Sequence, residues 1–249
     1  VAQPDKEEEE EEDTPLSLGE RSIFCADFHE WAATYTGEPF NFIHCDFPYG
    51  IDFNKSAGQS TSAATKSVGQ YDDGENIYWD LLNTLLLNRE RLIAPSAHIM
   101  FWYSQNFDDE TRAKIMKVWP DAVISKFRLI WHCSDNSGLC PAPQYEGRRT
   151  YETAFHITLG KRKIASPVAL SFASPRGEDK IHRSQKHLPV LAHFFKQFVD
   201  NSTRMLDPTC GSGTSVITAH KLGAKKIVGL ERDAEMRELA VKLFDQEAK

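Results

Sequence analysis

Arg204-Met205-Leu206-Asp207-Pro208-Thr209-Cys210-Gly211-Ser212-Gly213-Thr214 decides how this chain folds. It reads as a short apolar strand ending in an acid, a turn with two glycines, and a helix predicted to start at Thr214. The glycines allow close backbone approach, and the helix start offers unpaired N–H groups. Such a layout positions a nucleotide-like ligand at the carboxyl end of a parallel strand. Eighteen residues past Gly213, Lys226-Ile227-Val228-Gly229-Leu230-Glu231 gives a second strand ending in an acid. An acid about 20 residues after such a turn commonly holds ribose hydroxyls. Far upstream, Phe40 to Cys45 reads as another apolar strand, and it delivers the tetrapeptide Asp46-Phe47-Pro48-Tyr49 at its end.

Outward from these motifs, strands and helices alternate. Ser22 to Ala26 is predicted as a strand, followed by Asp27 and a short helix through Tyr35. Residues 50–76 are rich in Gly, Ser, Thr, Ala and Gln without apolar periodicity, too long for an ordinary connection and so expected to be a mobile active-site loop. Tyr78 to Ile93 has helical spacing, with Pro95 as its stop. His98 to Tyr103 is a strand and Asp108 to Trp119 a helix. Val123 to His132 and Glu152 to Leu159 are expected as two strands, and their adjacency suggests an antiparallel edge. A basic segment, 160–187, precedes a helix over Pro189 to Val199. Thr214 to Leu222 and a last helix from Ala234 complete the pattern. The expectation is one core with a doubly wound, mainly parallel α/β sheet over residues 19–249.

Composition sharpens this picture. The 249 residues suffice for one sizeable core. No apolar run reaches the roughly 18–20 residues that cross a bilayer, and the N-terminus is acidic with no apolar stretch behind it, so neither a span nor a secretory signal is expected. The five cysteines are scattered without zinc-ligand spacing, and no metal site is read. Their odd number fits a reducing compartment, cytoplasmic or nucleoid-associated. The net charge of −7 resides in one block: Asp5 to Asp13 holds eight acids and one lysine. Residues 1–18 therefore read as an acidic linker or tail. Tyr145 to Lys196 carries ten Lys/Arg against four Asp/Glu, a surplus that suits a polyanionic partner or, equally simply, a solvated basic surface.

The Asp46-Phe47-Pro48-Tyr49 tetrapeptide followed much later by the Asp207-to-Thr214 turn resembles the DNA amino-methyltransferases. This resemblance implies a Rossmann-like methyltransferase fold, S-adenosylmethionine as cofactor, and transfer to the exocyclic amine of adenine or cytosine. The order, catalytic motif before cofactor motif, is similar to the class with a circularly permuted sheet. Phe24-Cys25-Ala26-Asp27 resembles the family strand whose acid holds the cofactor adenine. Ser184-Gln185-Lys186 is similar to the segment beside the cofactor's methionine part. Two departures stand out. Phe47 replaces the usual proline, and the interval before Pro189, where the family places target recognition, is only about 28 residues.

On this resemblance Asp46, Phe47, Pro48 and Tyr49 are the expected catalytic group. Asp46 and the Phe47 carbonyl would accept the amine hydrogens, and Tyr49 would stack on the extruded base. Asp207, Pro208, Gly211, Gly213 and Thr214 would line the cofactor's methionine end, with Ser184 and Lys186 beside it and Lys186 on its carboxylate. Glu231 would take the ribose and Asp27 the adenine, though capping a helix explains Asp27 equally well. Arg148, Arg149, Lys161, Arg162, Lys163 and Arg183 are the expected nucleic-acid contacts. Asp46 at the head of the tetrapeptide favours adenine over cytosine, and the Gly-Ser-Gly turn favours DNA over RNA. Cytosine, RNA and a non-catalytic binding domain stand as alternatives. Either an upstream module or a second copy of the chain is expected to supply sequence specificity.

Overall fold

The computed structural model describes residues 21–49, 75–138, 140, 143–175 and 186–247, with the backbone alone at Arg21 and Glu75. The expectations for residues 1–18, for 50–74 of the long loop, and for Arg183 and Ser184 fall outside them.

Among the described residues nine strands form one sheet. In chain order they are β1 (Arg21–Cys25), β2 (Phe40–Asp46), β3 (Ile93–Trp102), β4 (Val123–Ile124), β5 (Leu129–Cys133), β6 (Tyr151–Leu159), β7 (Ser171–Ser174), β8 (Arg204–Asp207) and β9 (Lys226–Glu231). The spatial order is β1-β9-β8-β2-β3-β6-β5-β7, with β4 also paired to β6. From β1 to β3 every pairing is parallel. The expected antiparallel strand is β6, and β5 and β7 lie beyond it.

The helices are α1 (Phe28–Thr34), α2 (Glu75–Leu87), α3 (Arg89–Leu92), α4 (Asp108–Val118), α5 (Leu188–Phe195), α6 (Thr214–Lys221) and α7 (Ala234–Glu247). They cover both faces. On one, Phe28 and Ala32 of α1, Leu81, Leu82, Leu85 and Leu86 of α2, and Ile115 of α4 pack on Ile43, Cys45, Ile99 and Phe101. On the other, Val190 and Phe194 of α5, Val216 of α6 and Phe244 of α7 pack on Phe42, Met100, Trp102 and Met205. Neighbouring strand residues thus serve opposite cores, as period-two alternation requires. The central strands are buried on both faces, which is why they read as continuous apolar runs.

Three sequence expectations are corrected. The helix over Tyr78 to Ile93 is two pieces, α2 ending at Leu87 and α3 ending at Leu92, and Pro95 lies inside β3 rather than stopping a helix. Pro95 is tolerated there because it sits at the strand's exposed beginning, beside a register shift between Phe40 and Phe42. The single strand over Val123 to His132 is two pieces, β4 and β5, both paired to β6. A turn interrupts it, in which the Phe127 N–H donates to Ser125 Oγ. The basic segment 160–187 contains β7, which pairs parallel to β5.

A histidine pair crosses from β3 to β6. His98 Nδ1 and His156 Nε2 lie 3.1 Å apart against the Phe198 ring. Burial lowers both, with His156 brought down to about 4 and the His98 neighbour adding to the effect. A histidine depressed in the folded state stabilises fully above its unfolded value near 6.5, and that stability is lost as pH falls toward 4. For His156 the loss is about 3 kcal/mol. Urea unfolding at pH 7 and pH 4.5 should therefore show a smaller acid loss for His156→Gln than for the wild type. Equal losses would place the acid sensitivity elsewhere.

Candidate active site

The site forms where β8 meets β2. From β8 the chain crosses over one face through α6 to β9; from β2 it crosses the other face through α2 and α3 to β3. The connections part in opposite directions, leaving a crevice at the carboxyl ends where α/β sheets place their ligands. The Phe42–Met205 and Ile43–Leu206 register brings Asp46 beside the turn after Asp207. The Thr209 hydroxyl donates to the Asp46 carbonyl at 3.5 Å.

The glycine turn has the expected shape. Gly211 and Gly213 take φ of 52° and 78°, a left-handed backbone that L side chains rarely adopt. Gly213 caps α6 from that conformation, and a Cβ there would press on Ala240 at 3.2 Å. Beside Gly211 there is open space. Pro208 and Thr214 are buried within the turn.

Asp207, expected to face the ligand, is 2 % exposed and turned inward. One oxygen accepts the Thr209 N–H at 3.0 Å. The other accepts from the Ser215 hydroxyl and from His44 Nδ1, the latter at 2.7 Å. Trp102 Nε1–H donates to His44 Nε2 at 3.2 Å, which puts the His44 ring proton on Nδ1. Asp207 therefore shapes the turn and fastens β8 to β2.

Glu231 ends β9 half-buried, and one of its oxygens accepts the Asp233 N–H at 2.8 Å. Burial raises its carboxyl above the usual range, with the Asp233 charge adding and the Asp233 and Gly211 N–H groups opposing. Asp27 caps α1, accepting from the His29 and Glu30 N–H groups at 2.7 and 3.3 Å. Its capping role is thus realised.

The catalytic tetrapeptide converges on Lys186. The Lys186 ammonium lies 2.7 Å from Asp46 Oδ1, 3.0 Å from the Tyr49 hydroxyl and 3.0 Å from Glu152 Oε2. The Tyr49 hydroxyl donates to Glu152 at 3.1 Å. The cation also faces the Tyr49 and Trp102 rings, 5.2 and 5.0 Å from their centroids. Lys186, expected on the cofactor carboxylate, is instead bound to the tetrapeptide and β6, because two carboxylates there attract it. Burial opposes its charge, but Asp46 and Glu152 outweigh burial and raise its pKa. Burial raises Asp46 despite Lys186, and raises Tyr49, which keeps its phenol proton. Phe47 is 1 % exposed and packs on Phe101 and Phe28, so its ring belongs to the core. Pro48, the next residue, is half-buried.

The expected nucleic-acid residues do not share a surface. Arg148 and Arg149 precede β6 at the crevice end, where they bond to the Gly138 carbonyl and the Asn106 side chain. Lys161, Arg162 and Lys163 follow β6 at the opposite end. There the Lys161 N–H donates to Ser96 and Arg162 pairs with Asp200 at 3.3 Å. The nine residues of β6 separate the two groups by roughly 30 Å of strand. The sequence spacing merged them because a strand reverses sides without any change in composition.

Glu152, His44 and Trp102 escaped the sequence reading. Glu152 and His44 each carried a signal, an ionisable side chain within an apolar strand.

No protein-family model matches this chain, and no curated protein sequence matches it. Solved structures do. M1.HpyAVI in complex with SAM superimposes with a TM-score of 0.65 at 18 % identity, covering 89 % of this chain and 98 % of that one. TTHA0409 of Thermus thermophilus gives 0.62 at 16 %, covering 90 % and 94 %. The PvuII cytosine-N4-specific DNA methyltransferase gives 0.58 at 10 %, covering 92 % and 93 %. The chain has the Rossmann-like fold of these proteins, a mixed α/β sheet that is mostly parallel.

Proposed function

We propose that this chain is an S-adenosylmethionine-dependent DNA methyltransferase of the permuted class, acting on the exocyclic amine of adenine. The observation that carries the reading is the meeting of Asp46 and the Asp207 glycine turn at the ends of adjacent strands, although 161 positions separate them in sequence. The structural neighbours support its coarser part, a SAM-dependent DNA methyltransferase, since their names specify a SAM complex, a DNA modification methylase and a cytosine-N4-specific DNA methyltransferase.

The residues present fit the cofactor. The open space beside Gly211 and the Glu231 carboxylate at the end of β9 offer a cradle and a ribose acceptor. When bound, S-adenosylmethionine supplies an activated methyl group. Asp46 then accepts a hydrogen bond from the target amine, whose lone pair is otherwise delocalised into the ring, and draws the nitrogen toward a tetrahedral, nucleophilic state. Tyr49 offers its ring to the extruded base. Catalysis is mostly positioning and electrostatics. Arg148 and Arg149 stand at the end from which DNA would approach.

The test is methylation of a plasmid library with a labelled methyl donor, read at single-base resolution. Label in adenine supports the proposal, label in cytosine corrects the base, and no label in DNA overturns it. The cofactor assignment has its own check. Glu231→Ala should weaken S-adenosylmethionine binding by about 1.5–3 kcal/mol through lost charge-assisted hydrogen bonds. Unchanged affinity in titration calorimetry would remove Glu231 from the cofactor site.

A further inference from the structure

Lys186 is 7 % exposed, and its ammonium is held by two carboxylates and a phenol at the tetrapeptide. Such an arrangement is a poor stabilising device, since the desolvation of three ionisable groups offsets most of their attraction. It is well suited to presenting a donor beside an acceptor. We propose that Asp46 and Lys186 form an acceptor–donor pair that reads the base edge, Asp46 taking the amine and Lys186 donating to the ring nitrogen next to it. This deepens the methyltransferase reading and rests on it.

The ammonium has three donors, here directed at Asp46, Glu152 and Tyr49. An entering amine competes for the Asp46 oxygen and frees one ammonium proton. In adenine the ring nitrogen N1 is bonded to the carbon bearing the amine, so a donor next to Asp46 falls within its reach. Glu152 retains a second proton and anchors the cation, while the Trp102 and Tyr49 rings hold it in place beside Asp46. Guanine and thymine would set a carbonyl against Asp46 and an N–H against Lys186. Both contacts repel, so the pair rejects these bases at the edge where an extruded base is read.

The experiment uses the duplex site identified by the plasmid library, with the target adenine either normal or replaced by 1-deazaadenine, which carries C–H in place of N1. For the wild-type enzyme the replacement should lower kcat/KM by about 10- to 100-fold, the loss of one hydrogen bond to a charged donor. For Lys186→Met the two substrates should react alike, and Lys186→Arg should restore part of the preference. If Lys186 only supports the fold, Lys186→Met will be slower on both substrates with the wild-type ratio preserved, and the assignment falls. Wild-type transfer to the adenine duplex is the control. Its absence overturns the methyltransferase reading and this inference together, whereas transfer with an unchanged ratio in Lys186→Met overturns this inference alone.

Discussion

Asp46→Ala should lower methyl transfer by about 10²- to 10³-fold or more while leaving cofactor affinity nearly unchanged. The asymmetry follows from where the groups sit. Asp46 ends β2 and faces Lys186 and Tyr49, whereas the glycine turn and Glu231 belong to β8 and β9. Alanine removes the acceptor that draws the target amine toward a tetrahedral state, and it leaves Lys186 paired with Glu152. Single-turnover transfer measures the first effect and calorimetry the second. Undiminished transfer would remove Asp46 from the chemistry. An equal collapse of cofactor binding would make its role structural.

The second large effect concerns Phe47. In the resemblance this position belongs to a proline, which restricts the backbone covalently. Here the ring is packed between Phe101 and Phe28 under α1, with centroid distances of 5.4 and 6.3 Å. Phe47→Ala should therefore destabilise the protein by about 3–5 kcal/mol, the usual cost of an emptied aromatic site in a core. Phe47→Pro would empty the same space, so restoring the family residue is not a neutral change. Urea unfolding measures the loss, and a change below about 1 kcal/mol would mean that the core collapses into the space.

The architecture was legible because its signals are local. The Asp207 turn needs two glycines with positive φ, and only glycine fills that need readily. The central strands announced themselves as apolar runs because both faces are buried. Pro95 misled because a proline stops a helix in most settings, yet at the start of a strand it costs little. The site was legible in its motifs and illegible in its partners. Asp46 and Tyr49 come from one tetrapeptide, but Glu152 and Lys186 reach them from 103 and 140 positions away. Nothing in the local pattern reveals such a meeting. The split of Arg148 and Arg149 from Lys161, Arg162 and Lys163 has the same origin, since charge counts along a chain ignore the direction in which a strand runs.

The hydrogen bond from His44 to Asp207 bears on how the chain finds this structure at all. β2 and β8 are apolar toward both faces, so sliding one past the other would keep greasy side chains against greasy side chains, and hydrophobic burial alone would tolerate several alignments. A buried imidazole and carboxylate favour the alignment that joins them, because every other leaves the His44 Nδ1–H without its acceptor away from water. With Trp102 on one side and Ser215 on the other, the polar chain runs from β3 through β2 and β8 to α6. It acts as a vernier mark on a largely apolar scale: the two halves of the crevice lie far apart along the chain, and the protein checks their alignment beside the point where an error would misplace both.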